Sequence, residues 1–466
     1  MRKSKKNALQ GDNLIENYKL FLNNGKTERE CVAQIIETAE AHGYKNIKEF
    51  TKLTPGEKVY VQKMNKAIAL FQIGAGDIEN GLNILGAHID SPRLDAKQNP
   101  IYEKDFVTYL NTHYYGGIKK YQWVTLPLAI HGIVCKTDGT TVKVNIGEDL
   151  TDPVFCISDI LPHLAQDQMK RTASEIIKGE ELDVIIGSIV PSKKDEKSEK
   201  EEKKDKKKKK DEKPNGKKVI LELLKKKYGI EEKDLESAEL EIVPAGSARD
   251  LGLDRSLILG YGQDDRSCAY TSFAALLDST ATSRTNCCLC VDKEEIGSVG
   301  ATGMASHMFE NALAEVIALL PNGYSDLTLR RALANSNMLS SDVNAAYDPI
   351  NAGLYDRDNA SFLGGGLVFN KYTGSRGKSG ANDANPEFIA KLRGAMEKAE
   401  VRYQMAELGK VDQGGGGTIA YLAAKYGMNV IDAGVPVLSM HAPWEITARE
   451  DLMHAYNGYK AFLLLK

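Results

Sequence analysis

Residues 82–90 read Leu-Asn-Ile-Leu-Gly-Ala-His-Ile-Asp, an apolar run that stops at an imidazole and a carboxylate. A short, nearly continuous apolar run of this kind reads as a strand, here one that ends in imidazole and acid. Three further stretches share this grammar: CCLCVDKEEIGS with Glu294 and Glu295, NMLSSDV with Asp342, and PVLSMHAPWE with His441. A fifth, GYGQDDRSCAY, carries Asp264 and Asp265. In open α/β sheets, functional groups gather beyond the carboxyl ends of the strands, so these five segments are expected to meet in one crevice.

Working outward, KVYVQ and AIALFQIG also read as strands. Upstream, Thr27-Glu28-Arg29-Glu30 has the capping-box form, and Val32, Ile35, Ile36 and Ala39 recur at helical spacing up to a stop at Gly43. Residues 100 to 190 change character: turn signals are frequent, and β-rich runs such as TVKVNIG and VIIGSIV replace helical periodicity. After about residue 243 apolar strands alternate with helices. One is expected over 385–400, with Asn385 as cap and Pro386 in the first turn; the last runs through DLMHAYNGYKAFLLL. The pattern implies one α/β domain built from residues 1–96 and 243–466, interrupted by a β-rich insert over 97–242.

At 466 residues the chain exceeds the size at which one core usually stops growing, which agrees with two domains. A hydrophobic content of 42% and a net charge of -3 fit a globular protein and suggest neither a nucleic-acid nor a membrane partner. The basic start, MRKSKKNALQGDN, has no apolar segment behind it, so a cytoplasmic location is expected. Seven cysteines, an odd number without framework spacing, are expected to be reduced thiols. Cys287, Cys288 and Cys290 lie in the apolar run TNCCLCV and read as core rather than as a soft metal site. From Lys193 to Lys213 the chain carries twelve lysines and eight acids. Such a tract cannot bury enough apolar surface to order itself and reads as a disordered, solvated loop rather than a basic docking tail.

The acids and imidazoles at the strand ends suit a metal. Nitrogen plus carboxylate oxygen is a borderline donor set that favours zinc, with cobalt and manganese possible. The count, two histidines with several carboxylates of which one can bridge, suits two ions, and a pair can activate water and polarise a carbonyl together. In His88-Ile89-Asp90, alternation along a strand would put residues 88 and 90 on one side, where Asp90 can fix the imidazole's tautomer. In Glu294-Glu295, adjacent carboxylates point apart, so one can bind metal while the other carries protons. Asp264-Asp265-Arg266 fits either a metal between two repelling carboxylates or a salt-bridged turn, and His441 taken alone reads as a structural histidine rather than a ligand, a reading that the joint occurrence of all five segments reverses.

Taken together, GAHIDSPRLD, GYGQDDRSCAY, DKEEIGS, SSDVNAAYDP, DQGGGGTIAYLAAKYG and VIDAGVPVLSMHAPWEI resemble the M18 metalloaminopeptidases, from about residue 15 to the end. The resemblance implies a mixed-sheet, zinc-exopeptidase-like catalytic domain flanked by helices, with the β-rich insert serving dimerisation. It implies that Asp264 bridges two divalent ions, that His88 and Asp342 complete one set of ligands, and that Glu295 and His441 complete the other. Glu294 is then the general base and acid, Asp90 orients His88, and the Asp264–Asp265 peptide is cis. Leu161-Pro162-His163-Leu164 resembles a family segment whose histidine reaches the partner subunit's active site, so His163 is a candidate substrate contact. Family members assemble as homo-oligomers, typically of twelve subunits, and act on peptides.

In the branch of the family that prefers acidic substrates, a basic residue near the segment GLVFNKYTGSRGKSGAND meets the substrate side chain. Lys371, Arg376 and Lys378 are the candidates here, Lys371 foremost. The stretch HAPWEI is more similar to the branch that favours neutral residues. The expected activity is removal of single amino-terminal residues from peptides. The rival readings are a metallocarboxypeptidase or amide deacylase on the same scaffold, and a catalytically silent assembly protein.

Overall fold

The structure, a computed structural model, describes residues 11–189, 215–280, 283–376 and 379–466. The charged tract at 193–213 and Lys378 lie outside the described residues. The chain divides into two compact units, Met1–Ser91 with Ser247–Lys466, and Pro92–Gly246. The sequence placed the changeovers at 96/97 and 242/243. The β-ladders of the insert move them outward. Residues 93–96 already pair antiparallel with 112–115, and Leu94 and Asp95 pair with Ile242 and Glu241.

The first unit holds a nine-stranded mixed sheet. Its order is Lys45–Asn46, Lys58–Lys63, Ala67–Gln72, Thr285–Val291, Leu82–His88, Asn337–Ser340, Asn429–Gly434, Leu367–Asn370, Tyr403–Ala406. The four strands from Thr285–Val291 to Asn429–Gly434 are mutually parallel. Each residue of Thr285–Val291 and of Leu82–His88 is buried, as continuous apolar strands with both faces covered should be. Side chains alternate between two cores. Leu85, Ala87, Cys288 and Cys290 face a core that includes residues of the helices Asp12–Asn24, Glu28–Ala41, Gln263–Leu277 and Arg449–Leu463. Ile84, Cys287 and Leu289 face a second core, beside the helices Met308–Leu319 and Asp326–Ala334. The cysteines are free, and the three in this strand are buried core residues.

Local signals are met with one exception. Thr27 and Glu30 form a reciprocal capping box on the helix Glu28–Ala41. Asn385 precedes the helix Pro386–Lys398, but its side chain makes no capping bond and donates instead to Asn429 Oδ1 at 3.2 Å. A five-stranded sheet in the same unit joins Arg249–Leu251, Leu257–Gly260, Glu445–Ala448, Pro436–Leu438 and Asn344–Ala345, and so ties the segments carrying Asp264, Asp342 and His441 together. The second unit is a six-stranded sheet whose pairs are all antiparallel, with the helix Gly216–Tyr228. No helix among the described residues is long and apolar enough to cross a membrane.

Candidate active site

His88 is the last residue of its strand, and Asp342 lies just past Asn337–Ser340, one parallel strand away. Glu294 and Glu295 form a short 3-10 turn after Thr285–Val291, entered through Lys293 at φ 66°. His441 follows Pro436–Leu438 and has φ 64°. Left-handed backbone is uncommon in residues other than glycine and tends to cluster at functional sites. Asp264 and Asp265 open the helix Gln263–Leu277 and are joined by a cis peptide bond, as the family resemblance implied. The turn before them needs glycine. Gly262 has φ 70°, and a Cβ there would lie 2.3 Å from Arg266 Nη1 and 2.8 Å from Ser91 Oγ.

These segments converge. His88 Nε2 lies 3.2 Å from Asp264 Oδ1, and His441 Nε2 lies 3.2 Å from Asp264 Oδ2 and 3.5 Å from Glu295 Oε2. One carboxylate thus has an imidazole at each oxygen. Donor atoms of His88, Asp264 and Glu295 fall within 4.8 Å of one another, as do those of His88, Asp265 and Asp342. The strand ends before Asp90, yet its carboxylate still reaches His88. Asp90 Oδ1 lies 3.4 Å from His88 Nδ1, and its two oxygens accept the backbone N–H groups of Glu294 and Glu295 at 3.1 and 3.2 Å. Arg266 turns to main-chain carbonyls, donating to Ile89 at 3.0 Å and Lys26 at 3.1 Å.

Two further groups in this cluster hold the backbone of the others: Glu445, which had no role in the sequence reading, and Asp265, which the sequence read together with Asp264 as either a metal pair or a salt-bridged turn. Glu445 accepts the N–H of His441 with Oε1 at 2.7 Å and the N–H of Asp264 with Oε2 at 3.0 Å. Asp265 accepts the N–H of His88 with Oδ2 at 3.3 Å. A signal existed for Asp265, which adjoins Asp264. Glu445 sits in the quoted stretch HAPWE, but nothing local separates it from an ordinary loop acid.

The electrostatics call for cations. Burial pushes Glu294 up to about 7 and drives Glu295 and Asp342 well above the usual carboxylate range. Burial acts the same way on Asp264, but hydrogen bonds from His441 and His88 outweigh it and hold this group low. Among the described residues, Asp265 Oδ1 and Glu295 Oε1 are buried without a hydrogen-bond partner. Crowded, desolvated carboxylates with orphaned oxygens beside two imidazoles are a donor set for a borderline divalent ion such as zinc. The residues present therefore fit a metal.

The cluster opens into a cleft of about 820 Å³ within the first unit, lined also by Asn370, Tyr372, Asp383, Glu407, Met440 and the glycine run 414–417. Lys371 lies beside it, its ammonium 2.7 Å from Asp383 Oδ1 and 3.8 Å from the centroid of the Tyr372 ring. His163 occupies an exposed 3-10 turn, Pro162–Leu164, of the second unit.

Residues 21–463 match the family model of the aminopeptidase I zinc metalloproteases, peptidase family M18. The probable M18 family aminopeptidase 1 of Clostridium acetobutylicum is 55% identical over 454 residues, covering 97% of this chain and 94% of the relative. The crystal structure of an M18 aminopeptidase from Thermotoga maritima has a TM-score of 0.89 at 41% identity, covering 99% of this chain and 98% of that one. The structure of the yeast mApe1 dodecamer shares the fold at a TM-score of 0.73 and 18% identity, covering 97% and 98% of the two chains. This chain accordingly belongs to the M18 aminopeptidases, zinc metalloexopeptidases that hydrolyse peptide bonds.

Proposed function

We propose that the cluster holds two divalent ions, zinc by family, and removes one residue at a time from the free amino end of peptides. The observation that carries this reading is the Asp264 carboxylate, which faces one imidazole with each oxygen while Glu294 stands alongside. Asp264 would be shared between the ions, with His88 and Asp342 on one and Glu295 and His441 on the other. Bound there, divalent ions supply Lewis acidity that polarises a carbonyl and acidifies water. Glu294, which lines the cleft beside the cluster, takes the proton from the attacking water and returns it to the leaving amine nitrogen as the C–N bond breaks. Asp90 sets both His88 and the backbone of the turn that carries Glu294.

The cleft favours a protonated α-amine, because Asp264, Glu294, Asp342, Asp383 and Glu407 line it. Among the described residues that line it there is no lysine or arginine, and the Lys371 charge is engaged by Asp383. A neutral first side chain, such as leucine, is the preference this supports over aspartate. His163 is proposed to contact substrate across a dimer, with dimers assembling further as in the yeast dodecamer. The insert exposes Leu161, Leu164 and Met169, apolar side chains that such an interface would cover. The seven free thiols suit the reducing cytoplasm.

The test compares Leu-Gly-Gly with its N-acetylated form, for wild type and Glu294→Gln. Cleavage of the free peptide alone is expected, with turnover in the variant down by at least about a hundredfold and metal content kept. Equal cleavage of the blocked peptide would favour a deacylase. Wild-type turnover in the variant would remove Glu294 from its role.

A further inference from the structure

We propose that Asn370 is a substrate-binding residue whose amide Nδ2 holds the carbonyl oxygen of the peptide's second residue; this rests on the aminopeptidase reading above. Asn370 ends the strand Leu367–Asn370, is 6% exposed and lines the cleft. Its Oδ1 accepts from Asn344 Nδ2 at 2.9 Å, and Asn344 Oδ1 accepts from the Ser361 hydroxyl at 2.7 Å. Asn344 and Ser361 are fully buried, so this chain of bonds locks the carboxamide with its oxygen turned inward. The NH₂ group is left to face the cleft, and among the described residues Nδ2 has no hydrogen-bond partner. It can only donate.

The chemistry of the cleft selects the acceptor. With Asp264, Glu294, Asp342, Asp383 and Glu407 along the walls, an anionic acceptor is disfavoured and a neutral peptide carbonyl is welcome. The scissile carbonyl must lie where Glu294 and the His88–Asp264 cluster can reach it. Among the described residues no side-chain hydrogen bond joins Asn370 to His88, Asp264, Glu295 or His441, its side-chain partner being Asn344, and the carbonyl next along the peptide is the one assigned to it.

The experiment measures kcat and KM for wild type, Asn370→Asp and Asn370→Ser on Leu-Gly-Gly and on leucine p-nitroanilide, which lacks a second carbonyl. Asn370→Asp keeps the shape but turns the donor into an acceptor. The serine variant, small and uncharged, answers the same question should the aspartate not fold. The expected result is a loss in kcat/KM of about tenfold or more on the tripeptide, carried by KM, with the anilide changed by less than about twofold. Equal losses on both substrates, or none on either, would overturn the proposal while leaving the aminopeptidase reading intact. A metal-loaded wild type that cleaves neither substrate would remove that reading and the role of Asn370 with it.

Discussion

Glu445 shows how one side chain can hold a site together without touching substrate. Its two oxygens take backbone N–H groups from segments more than 170 residues apart, at Asp264 and His441. Burial pushes this carboxyl up to about 8, so the two hydrogen bonds it accepts are made at a cost in desolvation. Glu445→Ala strips both anchors. The expected outcome is a drop in zinc affinity of about ten- to a hundredfold with a matching loss of kcat/KM, and a smaller loss for Glu445→Gln, which keeps one acceptor. Titration with a competing chelator measures this, and unchanged affinity in the alanine variant would show that Glu445 does not position the ligands. The sequence displayed His88, Glu294, Glu295, Asp342 and His441 because each stands at the end of an apolar run. Glu445 begins its strand, and an acid before Ile-Thr-Ala carries no such mark.

At the scale of elements, the site depends on how closely two segments approach. A Cβ on Gly434, at the end of Asn429–Gly434, would lie 1.9 Å from Asp342 O and 2.5 Å from Asp342 C. These are backbone atoms, so Gly434→Ala must push the Asp342 segment away. We expect a stability loss of about 1–3 kcal/mol and a loss of kcat/KM of tenfold or more, read from thermal melts and steady-state kinetics. Wild-type kinetics in a folded variant would show that the Asp342 position is not critical. The helix Glu28–Ala41 was legible because its capping box is local. The cap on Pro386–Lys398 was not, because Asn429, from a distant strand, claims the Asn385 side chain. Tertiary competition for one polar group cannot be read from the neighbouring residues.

For the whole molecule, metal and assembly are the levers. Ions that bind only the folded cluster stabilise it by mass action, about 2.7 kcal/mol at a hundred times Kd. Chelation is therefore expected to lower the melting temperature together with activity, and zinc to restore both. A melt indifferent to chelator would argue against a bound structural charge at the cluster. On the insert, Leu164 is 68% exposed beside His163, and Leu164→Asp is expected to reduce the particle mass seen by light scattering. An unchanged mass would place the interface elsewhere. The division into an α/β unit and a β-rich insert was visible in the shift from helical to alternating pattern. Its boundaries were not, since strands such as Arg93–Lys104 are assigned by their ladder partners rather than by composition.

From its residues alone the chain determined the α/β class, the insert and the set of acids and imidazoles at strand ends, because burial on both faces and metal chemistry each leave a local signature. Only the tertiary structure decided that Asp264 lies between two imidazoles, that Glu445 and Asp265 seat them, and that Asn370, tied to Asn344, lines the cleft. Those facts are distances between segments far apart in the chain, and they follow from parallel strands ending side by side rather than from any neighbour in sequence.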